Sequence, residues 1–68
     1  MTAKTIWETF KTLFPDYAKD SLKFKGSGMN TIEITRNNGS IMRFTIGKDS
    51  YTLKLVRGLG VWSNLPRS

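Results

Sequence analysis

The sequence predicts an α+β domain in which one N-terminal amphipathic helix packs on a three- to four-stranded antiparallel β-meander. Apolar residues recur at helical spacing near the N-terminus, the apolar period then drops to two, and glycine-rich turns cut the remainder into strand-length pieces. All 68 residues are expected to form one small domain.

The helix is expected over residues 5–14, where Ile6, Phe10 and Leu13, continued by Tyr17, recur at steps of four, three and four. Trp7 and Phe14 widen the same stripe. Thr5 with Glu8 reads as a capping box, and Thr2 is the competing N-cap. Phe14-Pro15 ends the regular helix, because a residue before proline is pushed out of the α region. Residues 15–20 could add one more turn.

Four strands follow, at residues 22–25, 31–36, 41–46 and 51–57. Gly26-Ser27-Gly28, Asn37-Asn38-Gly39 and Gly47-Lys48-Asp49-Ser50 separate them. The tail, residues 58–68, carries Leu59, Val61, Trp62 and Leu65 and is expected to dock onto the core. Residues 22–25 and 51–57 are the expected sheet edges.

One face of a half-buried sheet must stay apolar, and this selects the register. A two-residue loop at Asn38-Gly39 would oppose Ile34 to Arg43 and mix the faces. A three-residue loop with Gly39 left-handed pairs Ile34 with Met42 and Ile32 with Phe44. Phe44 then faces Leu53 and Met42 faces Leu55. The expected core is Ile6, Phe10, Leu13, Leu22, Phe24, Ile32, Ile34, Met42, Phe44, Ile46, Leu53 and Leu55. On the outer face the rows read Lys23–Glu33–Arg43–Lys54, Lys25–Thr31–Thr45–Thr52 and Thr35–Ile41–Val56.

So small a chain buries only about 60% of its unfolded surface. It has no cysteine, so packing alone must hold it, which fits a cytoplasmic protein. Glu8 interrupts any signal-peptide run, no apolar stretch is long enough to span a bilayer, and no membrane partner is expected.

The absence of histidine and cysteine removes the usual general base and both common nucleophile–base pairs. The five carboxylates are dispersed, and Asp16 with Asp20 is too few ligands for a metal. Gly26-x-Gly28 and Gly58-x-Gly60 do not extend into a nucleotide-binding fingerprint. The expectation is a non-enzyme with no cofactor, no metal and no catalytic residue.

The net charge of +6 is unevenly placed. In residues 1–20, Lys4, Lys11 and Lys19 cancel Glu8, Asp16 and Asp20. From residue 21 onward Lys23, Lys25, Arg36, Arg43, Lys48, Lys54, Arg57 and Arg67 face only Glu33 and Asp49, so the whole excess, 8 − 2 = 6, lies in the β region. Nucleic acid, or an acidic protein surface, is the expected partner.

Lys23, Lys25, Arg43 and Lys54 on the outer face could track a phosphate backbone, although Glu33 would neutralise part of the charge. Phe24, Phe44 and Tyr51 have inward parity, so base-stacking aromatics are missing from that face. Arg36 and Arg57, both flanking Ser40 beside Asn38, form a second candidate anion site at one sheet end. Trp7 and Trp62 are each either an exposed protein-binding anchor or, as a core this small favours, a packed side chain, and Trp62 is the candidate anchor.

The order of a helix followed by antiparallel strands resembles a double-stranded-RNA-binding domain in topology. Residues 58–68 are too short for the lysine-started helix that closes such domains, so no residue role follows from the resemblance. Two functions remain: a non-catalytic binder of nucleic acid backbone, or a protein-binding or inhibitory module of the phage or accessory-genome kind. The second would act through an edge strand, a homodimer face or the Trp62 tail.

Overall fold

Helix α1, Ala3–Leu13, starts two residues before the expected position because Thr2, not Thr5, caps it. The Thr2 Oγ1 accepts the Thr5 N–H at 3.2 Å and lies 2.9 Å from the Thr5 hydroxyl. Glu8 pairs instead with Lys11, 3.0 Å away on the helix surface. Phe14 leaves the helical region at φ −130°, and Pro15 opens a second short helix, α2, Pro15–Lys19, where its missing N–H costs nothing.

The computed structural model describes residues 2–58 and 62–66. After the helices come β1, Ser21–Gly26; β2, Thr31–Arg36; β3, Ile41–Ile46; β4, Ser50–Arg57; and β5, Trp62–Pro66. They form one antiparallel sheet in the order β1-β2-β3-β4-β5. The strand count is thus five, not three or four, because part of the tail pairs with β4. Residues 51–57 are therefore interior, and β5 replaces them as the second edge beside β1. A strand where a double-stranded-RNA-binding domain would close with a helix ends that topological likeness. Leu59, Val61 and Arg67 lie outside the described residues, and of Trp62 only the backbone is described.

The three-residue turn forms as the face argument requires. Gly39 takes φ 86°, Ile34 pairs with Met42, and Ile32 pairs with Phe44. Met42 and Phe44 then face Leu55 and Leu53. Helix α1 rests on β1, β2 and β3 through Ile6 and Phe10, which are buried with Ile32, Ile34, Met42, Phe44, Ile46 and Leu53. Phe10 meets Phe44 edge-on at 5.4 Å, while Trp7 stacks on Phe24 at 4.7 Å. Leu13, Phe24 and Leu55 are partly buried at the core margin.

Two bulges correct the register at the strand ends. Between Ser21 and Lys23, β1 spends one extra residue against β2, so Leu22 drops out of the core and is 68% exposed. The bulge keeps Phe24 opposite Ile34 under the helix and moves Lys25, not Lys23, opposite Glu33. The second bulge omits Val56, so Arg57 rather than Val56 faces Ile41. Each bulge changes which cation stands in which row. No helix of the described residues is long and apolar enough to cross a membrane.

Candidate functional site

Because α1 and α2 lie on the same side, no helix covers the opposite sheet face among the described residues. Strand alternation presents three rows there. The first runs Lys25–Glu33–Arg43–Lys54 and continues to Trp62 at the fifth register position. The second runs Thr31–Thr45–Thr52–Asn64, and the third Lys23–Thr35–Ile41–Arg57. The face therefore gathers Lys23, Lys25, Arg43, Lys54 and Arg57 against Glu33, a balance of 5 − 1 = +4.

Glu33 sits between its neighbours rather than with one of them. Its carboxylate oxygens lie 3.7 Å from the Lys25 Nζ and 3.6 Å from an Arg43 guanidinium nitrogen. Both cations are well exposed, so water screens the pairs and each is worth under about 1 kcal/mol. Lys23, Lys54 and Arg57 have no carboxylate partner among the described residues. Beside them, the Thr31 and Thr45 hydroxyls bond across the strands at 3.1 Å. A shallow depression of about 280 Å³ opens on this surface between Lys23, Phe24, Lys25, Glu33, Thr35 and Ile41. The arrangement offers exposed cations over a hydroxyl-bearing floor, which can neutralise a chain of phosphates without reading bases.

The expected Arg36–Ser40–Arg57 cluster does not converge. Arg36 shares the parity of Ile32 and Ile34 and lies on the helix side, its guanidinium carbon 5.4 Å from the Tyr17 ring centre. It also approaches the Asp20 carboxylate at 4.0 Å, and its side chain is only 15% exposed. Arg57, opposite Ile41, belongs to the outer face. Ser40 is buried between them, and both its hydroxyl and its N–H donate to the Asn38 Oδ1, at 2.6 and 3.0 Å. Arg36, Asn38 and Ser40 thus tie a turn together, while Arg57 joins Lys23, Lys25, Arg43 and Lys54.

Phe44 and Tyr51 stack within the core side at 6.2 Å, and Trp7 packs against Phe10 and Phe24. Trp62 is the aromatic that residue parity within the four expected strands could not reach, because its place in a row exists only once β5 pairs with β4. Residues 62–65 read apolar, polar, polar, apolar, with no strand alternation, so local pattern carries no signal for this strand. No three His, Cys, Asp or Glu side chains come together among the described residues. No protein-family model matches the chain, and no curated protein or solved structure matches it either.

Proposed function

We propose that this protein is a small non-catalytic module that binds the phosphate backbone of nucleic acid on the helix-free face of its sheet. The segregation of charge carries this reading. Three cations and three carboxylates balance in residues 1–20, which form the helical layer, whereas the outer face holds five cations against one carboxylate. Solubility alone does not require that segregation, whereas a polyanion rewards it, since each neutralised phosphate releases condensed counterions. A sequence without histidine or cysteine supports the non-catalytic half of the reading.

The test is fluorescence anisotropy with labelled single-stranded and duplex oligonucleotides across about 50 to 200 mM salt. If three to five phosphates are contacted, log K falls against log salt with a slope of about −2 to −4.5. No binding to any DNA or RNA at low salt would refute the proposal.

A protein-binding or inhibitory module is the second reading, favoured by the contrast between the sheet edges. Edge β1 carries Lys23, Lys25 and a bulge, all of which discourage strand addition, whereas β5 has no charged residue over Trp62–Pro66. Strand addition there by another protein or a second copy would be insensitive to Lys54→Ala and blocked by Ser63→Pro. A chain that stays monomeric and retains no host protein on an affinity column counts against it.

A further inference from the structure

Strand β5 does more than raise the strand count. Its pairing sets Trp62 opposite Lys54 and Asn64 opposite Thr52, which extends two outer-face rows by one position each. The longest row is Lys25–Glu33–Arg43–Lys54–Trp62: cations, then an aromatic, on neighbouring strands about 4.8 Å apart. Lys54 has no carboxylate partner among the described residues, and Arg43 shares Glu33 with Lys25. The unbalanced end of the row is therefore the end at which the tryptophan stands.

Among the described residues, neither the sheet nor the long helix is suited to reading a duplex groove. Five strands span about 19 Å, wider than the major groove at about 12 Å. The long helix α1 carries a net charge of only 2 − 1 = +1, from Lys4 and Lys11 against Glu8, and the Glu8–Lys11 pair is closed on its surface. A flat sheet with cations beside an aromatic position is instead the general solution for an unpaired strand, whose bases are free to stack while its phosphates are neutralised.

Resting on the backbone-binding reading above, we infer that the open face takes single-stranded rather than duplex nucleic acid, with Trp62 as the stacking position next to Lys54 and Arg43. Phosphates lie against Lys54 and Arg43, one base stacks at Trp62, and Thr52 and Asn64 in the neighbouring row supply hydrogen-bonding groups.

The experiment uses oligo(dT) and a duplex of equal length at low salt. Trp62→Ala is expected to weaken oligo(dT) binding about tenfold while leaving weak duplex binding within about twofold, and Trp62→Phe is expected to retain most of the affinity. The Trp7→Phe variant leaves Trp62 as the only tryptophan, and its fluorescence should be quenched by oligo(dT) and not by the duplex. That measurement decides the matter even if Trp62→Ala does not fold. Tighter binding to duplex, an unaffected Trp62→Ala variant, or no quenching in Trp7→Phe would overturn the inference while leaving backbone binding in place. Absence of binding to either oligonucleotide would remove both.

Discussion

Arg36 and Arg57 look equivalent in the sequence, each ending a strand beside Ser40, yet they belong to different physical environments. Arg36 covers Tyr17 and approaches Asp20 on the helix side, with its Nε buried and without a hydrogen-bond partner among the described residues. Arg36→Ala is expected to destabilise the fold by about 1–2 kcal/mol through lost packing and cation–π contact, with oligonucleotide affinity unchanged. Arg57→Ala should do the reverse: urea midpoints stay constant while affinity drops by a few-fold. Chemical denaturation and anisotropy on the two variants separate these roles. Glu33 is the single carboxylate on the open face among the described residues, and Glu33→Gln raises their balance there from +4 to +5. It should tighten binding by a few-fold at low salt and cost under about 1 kcal/mol of stability, because its ion pairs are long and water-screened. Weaker binding by Glu33→Gln would show that the open face does not meet the polyanion.

At the scale of elements, turns and bulges control which residues share a surface. The 37–39 turn was readable because, of a two- and a three-residue loop, only the latter keeps Ile32, Ile34, Met42 and Phe44 on one face. The bulge that expels Leu22 was not, since an alternating Leu22–Phe24 pattern fits a regular strand equally well. What decides it is the fit of Phe24 beneath Trp7 and of Ser21 near Tyr17, where the Ser21 hydroxyl donates to the Tyr17 carbonyl at 2.8 Å. β4 is followed by Gly58, whose φ is 110°, and a Cβ there would lie 2.7 Å from that of buried Ser40. Gly58→Ala combines left-handed strain with a clash against a turn held by Asn38, and it should cost about 1–3 kcal/mol in a denaturation series. Removing residues 59–68 strips β5 from β4 and uncovers a new edge along Ser50 to Lys54, including Tyr51 and Leu53. The truncated chain should melt lower than the full one and self-associate with rising concentration in sedimentation experiments.

For the whole molecule, the charge that would attract a polyanion also repels itself. Raising ionic strength so that the Debye length falls from about 30 Å to about 8 Å should increase the Tm of the free protein, because like charges on the open face are screened. The same change should weaken oligonucleotide binding. Opposite signs for stability and affinity, measured by calorimetry and anisotropy in the same buffers, are the expected signature of one cationic face causing both effects. A Tm independent of salt would mean that the outer-face cations are too far apart, or too well hydrated, to sense one another.

Local chemistry in the chain already dictates a helix stopped at Pro15, the strands at 31–36 and 41–46, the register between them, and a charge excess confined to the β region. Periodicity, proline geometry and the need to keep one sheet face apolar operate over a few residues, so no partner element is needed to read them. Tertiary structure alone decided the bulges at Leu22 and Val56, the separation of Arg36 from Arg57, and the fifth strand that sets Trp62 beside Lys54. Those outcomes depend on how the helix seats on β1 to β3 and on whether β4 offers an open ladder to the tail. They arise from contacts between residues far apart in the chain, and such contacts leave little trace in local pattern.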